Sequence, residues 1–339
     1  MISAFDEGKT MNIKLCEDIA RVIIDYREGE IERPTADHVA TWVSQFSEIN
    51  QDAILHEMLH VLNHSYFNRQ TVVDFLNKLI LNNQLVGTNP STFWRSVNFL
   101  DIQQGGNSQK EMLLQFDCNI QNNFGFSLAN CGSDNGPFVY IDDAIFSGNR
   151  VLKDLTIWIQ TSAPDDCEIH IIVIALHRGG QWYASQRINH VAQEAGKNIT
   201  VHWWRCIEIE DRRYYLSQSD VLRPTAFPDD INVQQYITYL TEQGYPPEAR
   251  TTTNPPYQSP FFSSEQGRQT LEIAMLLSGV NIKKMCPFLP ETIRPLGYSI
   301  LKTVGFGSVI VTYRNCPNTC PPAFWAGSPW YPLFPRKTN

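Results

Sequence analysis

Asp142 and Asp143 stand side by side after an apolar run, Phe138-Val139-Tyr140-Ile141. Two adjacent carboxylates at the end of a buried strand are costly unless a partner compensates them. The vicinal hydroxyls of a ribose are suitable partners, directly or through Mg²⁺, because ionised carboxylates only accept hydrogen bonds and Mg²⁺ prefers oxygen ligands. The next residues, Ala144-Ile145-Phe146-Ser147-Gly148-Asn149, lead into a helix expected to begin near Arg150 or Val151. Ser147 and Gly148 let a short loop aim a hydroxyl and backbone N–H groups at a phosphate. The helix N-terminus adds a favourable dipole. The competing reading is an acidic strand-to-helix turn that only caps its helix.

A second loop of the same kind precedes it. Ile102-Gln103-Gln104-Gly105-Gly106-Asn107-Ser108 lies between an expected strand and an expected helix. Its paired glycines permit close approach of backbone to a ligand. Gln104, Gly105, Gly106 and Ser108 are therefore candidates for a pyrophosphate site, and a plain tight turn fits the same residues. Lys110 stands near this loop. His177 and Arg178 follow another apolar run and could reach the same ligand, or His177 could simply end its strand.

His56-Glu57-Met58-Leu59-His60 fits the HExxH pattern, which sets two histidines on one helix face with Glu57 as a base, as in a zinc hydrolase. No third ligand is evident. Ordinary histidines beside a helical interface fit better, and no protein side chains are assigned to a metal. The eight cysteines include no CxxC pair and read as reduced thiols. Asn315, Asn318, Trp325 and Trp330 could line a base or partner pocket, or pin a tail. Glu265 and Arg268 read as a surface pair.

The elements that must position these residues follow from periodicity. Apolar residues at helical spacing, such as Ile13, Ile19, Ala20, Ile23 and Ile24, mark helices from about 11 to 85. From about 95 to 225, strand, loop and helix alternate. The run Ile169 to Leu176 has the continuous apolar character of a strand buried on both faces of a parallel sheet. From Arg223 onward proline and polar residues increase around two helices, and residues 307–315 read as a strand before a Pro- and Trp-rich tail. The expectation is an α/β fold in three parts: a helical N-terminal domain over 1–90, a doubly wound core over 91–225, and a C-terminal extension over 226–339 packing on the core.

Bulk properties narrow the function. The net charge is −8, from 27 Lys+Arg against 35 Asp+Glu, which argues against broad binding to nucleic-acid backbones. The first residues carry no apolar signal region, and no apolar run is long enough to span a bilayer. A cytoplasmic protein with no membrane partner is expected.

The segment Tyr140 to Arg150 resembles the PRPP-binding signature of type I phosphoribosyltransferases: apolar strand, two acids, short spacer, then Thr-Gly-x-Thr or a variant. By that resemblance Asp142 and Asp143 are the catalytic carboxylates that hold the ribose hydroxyls. Ala144, Ile145, Phe146, Ser147, Gly148, Asn149 and Arg150 then cradle the 5′-phosphate, with Mg²⁺ arriving with the PRPP or nucleotide. Phe146 stands where many purine-type members place an acid that acts on the base, and Arg150 replaces the final Thr. Arginine can itself bind phosphate.

More widely, the chain resembles phosphoribosyltransferase-like effectors of bacterial conflict systems, some of them retron-associated. The likeness runs through WVSQF (Trp42 to Phe46), HSYF (His64 to Phe67), YIDDAIFSGNRV (Tyr140 to Val151), RPLGY (Arg294 to Tyr298), YRNCPNTCP (Tyr313 to Pro321) and WYPLFPR (Trp330 to Arg336). It implies a type I phosphoribosyltransferase-like core and a role in anti-phage defence. Partner proteins would be those of the defence system, such as a reverse transcriptase with its nucleic acid. The function so implied is chemistry on PRPP or a nucleotide at the ribose anomeric carbon. The alternative is a catalytically inactive PRPP- or nucleotide-binding module that signals to or scaffolds partners. The oligomeric state is left open.

Overall fold

The computed structural model describes residues 11–336. Three helices come first: α1 (Ile13–Val22), α2 (Ala36–Val43) and α3 (Glu48–Ser65), followed by a short strand, β1 (Tyr66–Phe67). Their starts are written locally. The side chains of Asn12 and Thr35 accept from the N–H groups of Leu15 and His38, satisfying donors that a helix end leaves open. Leu15, Cys16, Ile19 and Ala20 form the buried face of α1.

Helices α4 (Arg69–Leu79), α5 (Asn83–Val86) and α6 (Pro90–Ser96) lead to strand β2 (Asn98–Phe99). Helix and strand then alternate: α7 (Ser108–Phe124), β3 (Phe138–Ile145), α8 (Asn149–Thr161), β4 (Asp166–His177), α9 (Arg178–Glu194) and β5 (Asn198–Ile209). Beyond them lie α10 (Ile231–Glu242), α11 (Glu265–Met285), β6 (Ile293–Arg294), β7 (Gly297–Tyr298), β8 (Val311–Thr312) and α12 (Pro322–Trp325). No helix among the described residues is long and apolar enough to cross a membrane.

The fold is mixed α/β, as the sequence predicts. The central sheet has the order β2-β3-β4-β5 and every pair is parallel. β4 lies inside the sheet, and Ile169 to His177 are buried throughout. One face packs Ile169, Ile171 and Val173 against Val151, Leu155 and Ile159 of α8 and Ala184 and Ile188 of α9. An aromatic cluster of Trp94, Phe99 and Phe116 joins α6, β2 and α7.

Three expectations change in detail. β3 does not stop at Ile141 but continues to Ile145, pairing Asp142, Ala144 and Ile145 with Val173, Ala175 and Leu176. The acid pair therefore lies within the strand, with Asp142 in the ladder. The strand expected over 307–315 contracts to two residues, Val311 and Thr312, beside Tyr66 and Phe67. Glu265 and Arg268 are not a surface pair. Arg268 is buried with Glu272 at 2.8 Å, and Glu272 also meets Arg250, which bonds Glu265.

The described residues form two compact units. One contains the residues through Asn68 and those from Tyr215 onward; the other is Arg69–Tyr214. The segments set apart in sequence as the first and third parts thus share a core. Trp42 of α2 donates to the carbonyl of Ala323 in α12 at 2.8 Å. Helices α4 to α6, grouped by sequence with the N-terminal helices, belong to the sheet unit through the aromatic cluster.

Candidate functional site

The site residues singled out from sequence lie in the sheet unit, in the segments that leave the carboxyl ends of its strands. Open α/β sheets bind ligands at that edge. Asp142 is buried, and Asp143 is half-buried at the next position of the strand. Asp142 Oδ1 accepts from the N–H of Asp143 at 2.9 Å, and Oδ2 accepts from Nε2 of Gln103 at 3.1 Å. Asp143 Oδ1 accepts from the N–H of Ala144 at 2.7 Å. The two carboxylates are oriented by these donors, and their oxygens are of the hard type that suits ribose hydroxyls or Mg²⁺.

After Ile145 the chain turns through Phe146, Ser147 and Gly148 into α8. Gly148 precedes the helix with φ +76°, in the left-handed region that glycine adopts most easily. Ser147 Oγ accepts from the N–H of Asn149 at 3.5 Å and from its Nδ2 at 3.2 Å. This turn lies directly on the start of α9. A Cβ on Gly180 would come within 1.9 Å of the Phe146 carbonyl oxygen, and one on Gly148 within 2.3 Å of the Gly180 oxygen.

The two-glycine loop is tied to the acid-pair loop. Gln103 Nε2 bonds both Ser108 Oγ, at 2.9 Å, and Asp142. Gln109 Oε1 accepts from the N–H groups of Ile102 and Gln103 at 2.8 and 2.9 Å. The N–H of Gln104 donates to Asp154 Oδ1 at 3.1 Å, and Tyr140 Oη donates to Asp154 Oδ2 at 3.1 Å. Burial, more than any other influence, pushes the Asp154 carboxyl above its usual range, against the hydrogen bonds from Gln104 and Tyr140 and the charge of Arg150. Arg150 donates to the carbonyls of Gln104 and Gly105. Gly105 and Gly106 have φ +76° and +109°, so this loop does need glycine.

The neighbouring strand ends complete the surroundings. His177 is buried; its Nδ1 bonds the Ile145 carbonyl at 3.0 Å, and its ring lies 5.1 Å from that of Phe146. Arg178 pairs with Glu208 at 3.3 Å and Glu210 at 3.7 Å. The N–H of Gly179 donates to Asp211 Oδ1 at 2.7 Å. The structure therefore brings together Asp142, Asp143, Ser147, Gly148, Arg150, Gln104, Gly105 and Ser108. It adds four residues that sequence reasoning did not single out: Gln103, Gln109, Tyr140 and Asp154. Asp154 follows Arg150 by one helical turn and lies on the buried face of α8.

The other candidates have structural duties in the first unit, outside the sheet unit. Glu57 is buried, and its carboxylate accepts from the N–H of Ser263 at 3.0 Å and from the Ser263 hydroxyl. His56 is exposed beside Asp52, and His60 stacks on His64 with ring centroids 4.3 Å apart. Among the described residues, no group of three or more His, Cys, Asp or Glu is placed to hold a metal ion. Trp325 and Trp330 donate to the carbonyls of Cys320 and Ala323 at 2.9 and 3.0 Å, which fastens the tail.

A family model described as PRTase-CE matches residues 39–336 of the chain. No curated protein and no solved structure matches it.

Proposed function

We propose that this chain, which belongs to the PRTase-CE family and is phosphoribosyltransferase-like, acts on PRPP or a nucleotide at the anomeric carbon of the ribose. The observation that carries the proposal is the link between the acid-pair loop and the two-glycine loop at one edge of a parallel sheet, made by Gln103 on Asp142 and Arg150 on Gln104 and Gly105. One loop would take the ribose hydroxyls and 5′-phosphate, the other the pyrophosphate. With PRPP, the bond between C1 and the pyrophosphate oxygen breaks and its electron pair leaves with pyrophosphate. A lone pair on a nitrogen or oxygen acceptor forms the new bond to C1, and the acceptor's proton passes to water. Asp142 and Asp143 would orient the ribose, so that the rate enhancement comes from positioning and from stabilising the leaving charge. Mg²⁺, carried with the ligand, would screen the charge of the pyrophosphate.

The resemblance to conflict-system effectors supports a setting in anti-phage defence, with partners such as a reverse transcriptase and its nucleic acid. A second reading rests on Phe146. It places an aromatic ring near His177 where purine-type relatives carry an acid, and this favours a module that binds PRPP or a nucleotide without turning it over.

Calorimetry with PRPP and Mg²⁺ tests the main reading. The wild type is expected to bind, and a folded Asp142→Asn/Asp143→Asn variant to lose at least about tenfold in affinity, since hydrogen bonds to charged groups contribute about 1.5–3 kcal/mol each. In the defence setting, the same variant would lose phage protection in cells. Wild-type protein that ignores PRPP would remove it as ligand. Binding without release of pyrophosphate in the presence of acceptor bases would favour the second reading.

A further inference from the structure

One turn of α8 holds both backbone polar groups of Gln104. The N–H of Gln104 donates to Asp154 at 3.1 Å, and its carbonyl accepts from Arg150, as does the carbonyl of Gly105. Arg150 and Asp154 are four residues apart in the helix and so lie on one face. Their chemistry divides the task. A guanidinium has only donors and takes carbonyls; a carboxylate has only acceptors and takes an amide. Asp154 is itself fixed, at 1% exposure, by the Tyr140 hydroxyl at 3.1 Å.

Beyond Gln104 the loop changes character. Gly105, Gly106 and Asn107 are exposed, and among the described residues no hydrogen bond uses their N–H groups. The carbonyls that would repel an anion are turned to Arg150, while three successive amides remain available to one. The positive charge of Arg150 lies against the loop at Gly105, 3.5 Å from where a Cβ would stand. Successive backbone N–H groups in a glycine turn make an anion-binding concavity.

We propose that Arg150 and Asp154 are positioning residues that preset the loop 103–107 to receive a diphosphate, so that the site selects a ribose 5-phosphate bearing pyrophosphate on C1 over a ligand with the 5′-phosphate alone. This rests on reading the two loops as a ribose-phosphate site. Arg150 then serves the pyrophosphate loop, although it belongs in sequence to the 5′-phosphate loop. A purely structural role would weaken every ligand alike; a preset loop weakens only those that carry pyrophosphate.

The experiment titrates three probes with Mg²⁺, PRPP, pyrophosphate and ribose 5-phosphate, into wild type, Arg150→Ala, Arg150→Lys and Asp154→Asn by calorimetry. Arg150→Ala is expected to weaken PRPP and pyrophosphate about 10–100-fold and to leave ribose 5-phosphate within about twofold. Arg150→Lys restores part of the loss, because an ammonium can still donate to both carbonyls. Asp154→Asn shifts the same two ligands in the same direction. Equal losses for ribose 5-phosphate and pyrophosphate, or unchanged PRPP affinity in Arg150→Ala, would overturn the inference. Wild-type protein that binds ribose 5-phosphate but neither PRPP nor pyrophosphate overturns it too, and leaves the ribose-phosphate loop standing. Wild-type protein that binds none of the three refutes the two-loop reading itself, and this inference with it.

Discussion

Gly180 has no room for a side chain. A Cβ there would meet the Phe146 carbonyl oxygen at 1.9 Å and the Gly148 nitrogen at 3.0 Å, both backbone atoms that cannot rotate away. Alanine is a better helix former than glycine by about 1 kcal/mol, so propensity alone would make Gly180→Ala stabilising. The contact outweighs it, since overpacking costs about 1–3 kcal/mol and more where backbone must move. Gly180→Ala is expected to lower the urea midpoint and to weaken PRPP binding together, because the turn at Phe146 to Gly148 must shift. A variant as stable as wild type with unchanged affinity would refute this close packing. Asp142, Asp143, Gly105 and Gly106 were legible in the sequence, because carboxylates and paired glycines after apolar runs have few uses. Asp154 and Gln109 were not. A helical Asp or Gln looks solvated until a partner some fifty or seven residues away is known.

At the scale of elements, β4 was legible because a strand buried on both faces must be apolar along its length. Its exceptions carry information. His170 interrupts that run, is buried, and accepts a hydrogen bond from the Trp204 indole of β5 at 2.9 Å. The His202 ring lies 5.0 Å away. Burial first, and the neighbouring His202 second, press its pKa down to about 4, against a smaller opposing pull from Glu168. A histidine depressed in the folded state favours folding above its unfolded pKa, near 6.5, and that contribution is lost as pH falls toward 4. Between about pH 6.5 and 4 the wild type should therefore lose up to roughly 3 kcal/mol that a His170→Leu variant does not lose. Urea midpoints of both proteins across that window check it; parallel pH profiles would show that His170 is not buried as a neutral ring. The continuation of β3 through its acid pair was not legible. Asp is disfavoured in strands, and only the ladder to Val173 and Ala175 of β4 keeps Asp142 and Ala144 in register.

For the whole molecule, local pattern says which segments are helical or extended but not which of them share a core. The described residues before Asn68 join those after Tyr215 through contacts that span nearly the full chain. The indoles of Trp42 and Trp330 both donate to the carbonyl of Ala323, at 2.8 and 3.0 Å. The Trp330 ring also stands edge-on to Phe46, 5.6 Å away. Tyr26 donates to the Pro335 carbonyl at 3.1 Å, and Arg27 to the same oxygen at 2.9 Å. Early helices and the tail thus close on each other with paired polar groups inside an aromatic core, where an unmade hydrogen bond is costly. Trp330→Ala removes a ring that is 7% exposed, together with one of these donors. The expected loss is about 3–5 kcal/mol. Trp182, by contrast, is 62% exposed on α9, and its replacement by alanine should change stability by no more than about 0.5 kcal/mol. Urea unfolding of the two variants makes the comparison within one protein and one residue type. A Trp330→Ala variant as stable as Trp182→Ala would mean that the tail lies on the first unit without helping to hold it together.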